Sequence, residues 1–179
     1  SGLSGRAKGG YGMKKQRPRR PSTYYSAWHV MLASPDKPMQ PSRYRHQLTR
    51  MHLAMSSITS GESPTDEDWR LIADAINLVE TLVLQKVAQD ESGLLHDAIT
   101  AMAEAFYRAD QDSARMRLTG PGLAAIRAVL ADWGTCLEQL PERTVIEAHI
   151  ATDRRIAEKL RRYSLGNRAK VVTRFEVQA

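Results

Sequence analysis

Between Ser42 and Gly166 the chain repeats one device: apolar residues recur three and four positions apart, and most of the runs are closed by a glycine or proline. An amphipathic α-helix is the local structure that puts such residues on one face. The first run is Tyr44, Leu48, Met51, Met55 and Ile58, and it stops at Gly61. The second starts at Thr65, a good N-cap followed by Asp66, Glu67 and Asp68, acids suited to the positive end of a helix. Asp68 stands at capping-box spacing from Thr65. Trp69, Ile72, Ala73, Ile76, Val79, Leu82 and Val83 carry this face onward, and the reading extends the helix to about Gln89.

After Ser92-Gly93, a third face runs through Leu94, Leu95, Ala98, Ile99, Met102 and Phe106 and ends between Arg108 and Asp112. Thr119-Gly120-Pro121-Gly122 supplies a turn and a helix start for Leu123, Ile126, Leu130, Trp133 and Leu137, until Leu140-Pro141 interrupts. The last run begins at Glu142 or Thr144 and reaches Gly166 through Val145, Ile146, His149, Ile150, Ile156, Leu160 and Tyr163. Short connections favour antiparallel neighbours. The expected fold is therefore all-α, a bundle of four to five helices in one domain over residues 42–166. At 179 residues and 42% hydrophobic content the chain is the right size for one core.

The flanks read differently. Residues 1–21 hold five glycines, two prolines and seven Lys/Arg with little to bury, and are expected to form a disordered basic arm. Residues 22–41 read as an aromatic anchor, with Tyr24, Tyr25, Trp28, Val30, Met31 and Leu32, followed by a linker punctuated by Pro35, Pro38 and Pro41. Residues 167–179 form a short tail whose weak alternation at Val171, Thr173, Phe175 and Val177 leaves strand and disorder both open.

Charge is distributed by sign. Residues 1–55 carry eleven Lys/Arg against Asp36 alone, residues 56–150 carry seven against sixteen acids, and residues 151–179 carry eight against three. A chain basic at both ends and acidic between them points to a polyanionic partner near its termini. No apolar run approaches the roughly 18 residues of a membrane span, and no apolar stretch follows the basic start as in a signal peptide. The expectation is a cytoplasmic protein with no membrane partner. Cys136, the single cysteine, reads as a packed thiol.

Little in the sequence suggests reaction chemistry. His29, His46, His52, His96 and His149 fall on separate elements, so no zinc pattern arises and no metal is expected. Asp110 and Asp112 lack the glycine and bidentate glutamate of a calcium loop. Gly9-Gly10 and Gly120-Pro121-Gly122 lack the strand and Lys-Ser/Thr of a phosphate loop. No nucleophile is marked by a positioned base, so the reading assigns no catalytic residue, no cofactor and no enzyme activity.

Two binding surfaces remain. Lys14, Lys15, Arg17, Arg19 and Arg20, followed by Tyr24, Tyr25 and Trp28, combine phosphate-contacting groups with rings that can stack on bases, and Arg43, Arg45 and Arg50 on the first long helix add to them. They predict contact with nucleic acid, DNA or RNA, or with a nucleoprotein. The competing surface is acidic: Asp66, Glu67, Asp68, Asp110 and Asp112 could occupy the basic face of a host protein and so inhibit a host system, a defence system for example. The face from Trp69 to Val83 is either internal core or the seam of a homodimer.

Arg17-Pro18-Arg19-Arg20-Pro21, the block from Thr65 to Trp69 leading into Ala75-Ile76-Asn77-Leu78-Val79-Glu80, and Arg154-Arg155-Ile156 to Leu160-Arg161-Arg162 resemble small helical proteins of proteobacterial prophages and plasmids. The resemblance covers about residues 14–166. It implies an accessory protein of a mobile element in a bacterial cytoplasm, acting as a regulator or as a blocker of a host system, and it carries over no functional residue.

Overall fold

A computed structural model describes residues 25–60, 64–112 and 115–166, with no side-chain description for residue 112 or residues 162–166. The basic arm and the C-terminal tail lie outside these residues. Six helices follow in order: α1 (Ala27–Leu32), α2 (Pro41–Ser60), α3 (Asp66–Leu84), α4 (Leu94–Asp112), α5 (Gly120–Gln139) and α6 (Glu142–Gly166). The chain forms an all-α bundle. The five long helices coincide with the five apolar runs, and α1 is a further short helix inside the aromatic anchor.

The bundle is organised around α3, which packs against α2, α4, α5 and α6. Its inner face, from Trp69 through Ile72, Ile76 and Val79 to Leu82, is buried within the chain. This face is core, filled against Ile126, Val129, Trp133 and Leu137 of α5 and Val145 and Ile146 of α6. Each such side chain stabilises the fold by about 1.5–3 kcal/mol through removal of apolar surface from water.

Helix ends follow the local chemistry. The Thr65 Oγ1 accepts the Asp68 N–H at 3.2 Å while the Asp68 carboxylate accepts the Thr65 N–H at 2.8 Å, a reciprocal cap that closes α3 at its start. The Thr119 hydroxyl accepts the Gly122 N–H at 3.3 Å and does the same for α5.

The far end of α3 departs from expectation: the helix stops at Leu84, not near Gln89. Val87 N–H donates to the Leu82 carbonyl and Lys86 N–H to the Val83 carbonyl, both at 2.9 Å, which is the Schellman pattern of a helix C-terminus. Lys86 occupies the left-handed position at φ 59°, a place usually taken by glycine, so residue type gave no warning of the stop.

The buried stripe of α4 is Leu95, Ala98, Ala101 and Ala105, and its three alanines let α5 approach closely. A Cβ added at Gly122 would meet the Ala101 Cβ at 2.7 Å. Because alanines take the inward positions, Phe106 is turned outward and is 63% exposed, contrary to its place on the apolar run.

The segment after α1 is tied to the start of α6. Glu142 N–H donates to the Lys37 carbonyl at 2.8 Å and Arg143 N–H to the Ser34 carbonyl at 3.1 Å, so main-chain oxygens of the strap satisfy N–H groups at the N-terminus of α6. The Glu142 carboxylate accepts the Ser34 N–H at 3.2 Å and pairs with Arg43 of α2.

Two substitutions test these ends with opposite signs. Lys86→Gly is expected to stabilise the protein by about 0.5–1 kcal/mol through relief of left-handed strain. Gly122→Ala is expected to destabilise it by about 1–2 kcal/mol through the clash with Ala101, despite alanine's better helix propensity. Chemical denaturation of the two variants against the parent chain measures both, and a destabilised Lys86→Gly or a stabilised Gly122→Ala refutes the respective account.

Candidate functional site

The aromatic anchor divides into an inward and an outward set. Tyr25 packs on His149 of α6 with ring centroids 5.0 Å apart, and His149 meets Trp133 of α5 edge-on at 5.9 Å. Tyr25 also stands edge-on to His29, whose Nδ1 accepts the Ser26 N–H at 3.0 Å and so closes the first turn of α1. On the other side of α1, Trp28, Met31 and Leu32 are 63%, 71% and 69% exposed. Their spacing of three and four residues makes one apolar face. Of the three tryptophans, Trp69 and Trp133 are buried in the core.

The candidate cations separate in the same way. Lys14, Lys15, Arg17, Arg19 and Arg20 lie outside the described residues. On α2, Arg43 is paired with Glu142, and Arg50 bonds Glu67 at 3.0 Å. Arg45 is exposed and has no ion pair among the described residues. Two of the three α2 arginines are therefore engaged between helices, with their outer surfaces still open to solvent.

The acidic set is also partly engaged. Glu67 takes Arg50 from α2 and lies 3.7 Å from Arg70 of its own helix. Asp68 is held by Thr65, whose backbone N–H and hydroxyl keep its carboxyl below the usual range. Asp66 and Asp110 are exposed, and the side chain of Asp112 lies outside the described residues. The structure thus joins one member of each candidate set, Arg50 and Glu67, in a single pair that spacing could not reveal.

A polar seam between α3 and α6 was not read from the sequence. Arg155 pairs with Glu80 and donates to the Asn77 carbonyl at 2.9 Å, while the Thr81 and Thr152 hydroxyls meet at 2.6 Å in the interior. Farther along, Asp74 keeps an exposed edge, yet loss of hydration pushes its carboxyl up to about 6, with Asp153 and Glu67 adding to the rise and Arg70 opposing it. Among the described residues no group of three or more His, Cys, Asp or Glu is placed to hold a metal ion. No helix among them is long and apolar enough to cross a membrane. Burial raises the Cys136 thiol, with Asp132 contributing.

Comparison with known proteins gives no matching family model, no similar curated protein and no similar solved structure.

Burial pushes His149 down from 6.5 to about 4, so the folded protein holds it neutral. The unfolded chain binds this proton more readily than the folded one, so the stability that a neutral His149 permits is complete above pH 6.5 and is lost as pH falls toward 4. His149→Phe, which keeps an aromatic ring against Tyr25 and Trp133, is expected to flatten the acid limb of stability over that window. Denaturation midpoints taken across the window test this, and identical acid limbs in variant and parent would exclude His149 as the cause.

Proposed function

We propose that this protein binds nucleic acid, alone or within a nucleoprotein, through the basic segment that precedes α1 together with the outward face of α1, and that it works as a non-enzymatic regulator. The observation that carries this reading is Trp28, an indole 63% exposed at the start of a helix whose other aromatic neighbour, Tyr25, is taken up by the core. A large exposed ring next to a run of cations suits stacking on a base while the cations meet phosphates. Arg20 and Trp28 are eight residues apart, a stretch that spans at most about 28 Å when extended, so phosphate and base contacts can fall on neighbouring nucleotides of one strand.

Arg45 can extend the contact along α2. The acidic alternative, a surface that occupies a host protein, is weaker because Glu67 and Asp68 are already used within the chain. A mobile-element accessory role in the cytoplasm is the setting that the resemblance suggests.

The test is fluorescence anisotropy with labelled single-stranded DNA, duplex DNA and RNA, on the full chain and on a chain lacking residues 1–21. If the five cations from Lys14 to Arg20 each neutralise one phosphate of a single strand, affinity should fall about a hundredfold between about 50 and 200 mM salt. Trp28→Ala should cost about 1–3 kcal/mol on single strands, and binding should quench Trp28 emission. Binding that ignores salt and residues 1–21, or no binding to any of the three, overturns the reading.

A further inference from the structure

The two ends of α1 are held to the bundle unequally. No residue of α1 itself is buried, and the helix packs chiefly against α6. After its last turn the chain is pinned by several main-chain bonds. Ala33 is buried and its carbonyl accepts from the Arg143 guanidinium at 3.3 Å, while the Ser34 and Lys37 carbonyls accept the Arg143 and Glu142 N–H groups. At the other end the Tyr25 ring rests on His149, and Val30 between them is partly buried against the core.

The ring under Tyr25 is polar and poorly provided for. His149 Nε2 is buried with no hydrogen-bond partner among the described residues, and Nε1 of Trp133, the ring that His149 meets edge-on, is in the same position. The groups that face His149 are rings: Tyr25 from the segment before α1, with His29 beyond it, and Trp133 from α5. Asp153 stands one turn along α6, yet burial alone sets the titration of His149, and no neighbouring charge offsets it. A proton on this histidine therefore makes a charged donor with no acceptor in the closed structure. Moving Tyr25 away lets water reach it, at less cost than unfolding the bundle.

From this packing we propose that α1 is an acid-sensitive flap: protonation of His149 releases Tyr25 and lifts α1 from α6 about a hinge at Ala33 and Ser34, while α2 to α6 stay folded. The open flap turns Tyr25 outward beside Trp28, so acid changes the set of rings that this segment presents. Burial holds His149 at about 4 in the closed state against 6.5 for an exposed ring, so the flap is fully closed above pH 6.5 and opens as pH falls toward 4. That gap shifts the ratio of open to closed by up to about 300-fold. The flap does not rest on nucleic-acid binding, and its test uses no nucleic acid.

The experiment is amide hydrogen exchange of the full chain, followed by NMR and corrected for intrinsic rates, at pH 6.5 and at about pH 4.5. The Val30 amide, which donates to the Ser26 carbonyl, reports the flap; the Glu142 amide reports the hinge and the Ile76 amide the core of α3. Val30 protection is expected to fall about tenfold or more on acidification, with Glu142 and Ile76 changing far less. His149→Phe keeps a ring under Tyr25 that takes no proton, and should hold Val30 protection constant. Tyr25→Ala should leave Val30 unprotected at both pH values while Ile76 stays protected.

Loss of protection at Val30 and Ile76 together means global unfolding and overturns the proposal, as does Val30 protection that is absent at pH 6.5 or unchanged in acid. An equal fall in His149→Phe also overturns it and assigns the effect to His29, whose Nδ1 accepts the Ser26 N–H. Tyr25→Ala with the protection and pH response of the parent chain is equally fatal to it.

Discussion

The carboxylate of Glu142 ties α2 and the strap to the start of α6. It sits at the first position of α6, nearly buried, and receives the Arg43 guanidinium of α2 and the Ser34 N–H of the strap, while its own N–H donates to the Lys37 carbonyl. A charge so enclosed is tolerable because each neighbour is a donor and one is a cation. Fixing α6 at this point sets the depth at which Val145, Ile146 and His149 enter the core. That in turn places the ring against which Tyr25 rests, and so which side of α1 faces solvent.

The division of charge along the sequence acquires a structural meaning. Read linearly, a basic beginning, an acidic middle and a basic end suggest separate binding patches. In the folded chain a small part of that asymmetry is answered internally: Arg43 of α2 meets Glu142 of α6, Arg50 of α2 meets Glu67 of α3, and Arg155 of α6 meets Glu80 of α3. The Arg50–Glu67 pair is solvent-exposed and adds little to stability, whereas the Arg155–Glu80 pair is more enclosed and also ties Arg155 to the Asn77 carbonyl. Arg45 and Arg127, which have no ion pair among the described residues, keep charge to spare for a partner.

Much of the fold was legible because helix signals are local. Thr65 and Asp68 mark the start of α3 from four consecutive residues, and Thr119 does the same for α5 with Gly122. What stayed hidden was set by relations between distant residues. The end of α3 depends on Lys86 accepting a left-handed conformation that residue type alone argues against. The outward turn of Phe106 depends on the alanines of α4 being claimed by α5. For the candidate surface, the sequence pointed to the basic and aromatic residue types but could not separate Tyr25 from Trp28, nor Arg43 and Arg50 from Arg45, because spacing does not say which neighbour arrives from another helix.

The strap has a consequence for how the chain comes together. Ser34 and Glu142 are 108 residues apart, yet the backbone of one supplies what the helix start at the other lacks. During synthesis the strap leaves the ribosome well before the helix it caps, and α2 to α5 can collapse through nearer contacts while the strap still has no place to dock. Closing this long loop carries an entropic cost that nearer contacts do not, and until α6 arrives the side of α3 that packs against it remains uncovered. A chain stalled at that point would expose the apolar residues that α6 covers, so the docking of α6 also removes a surface prone to aggregation.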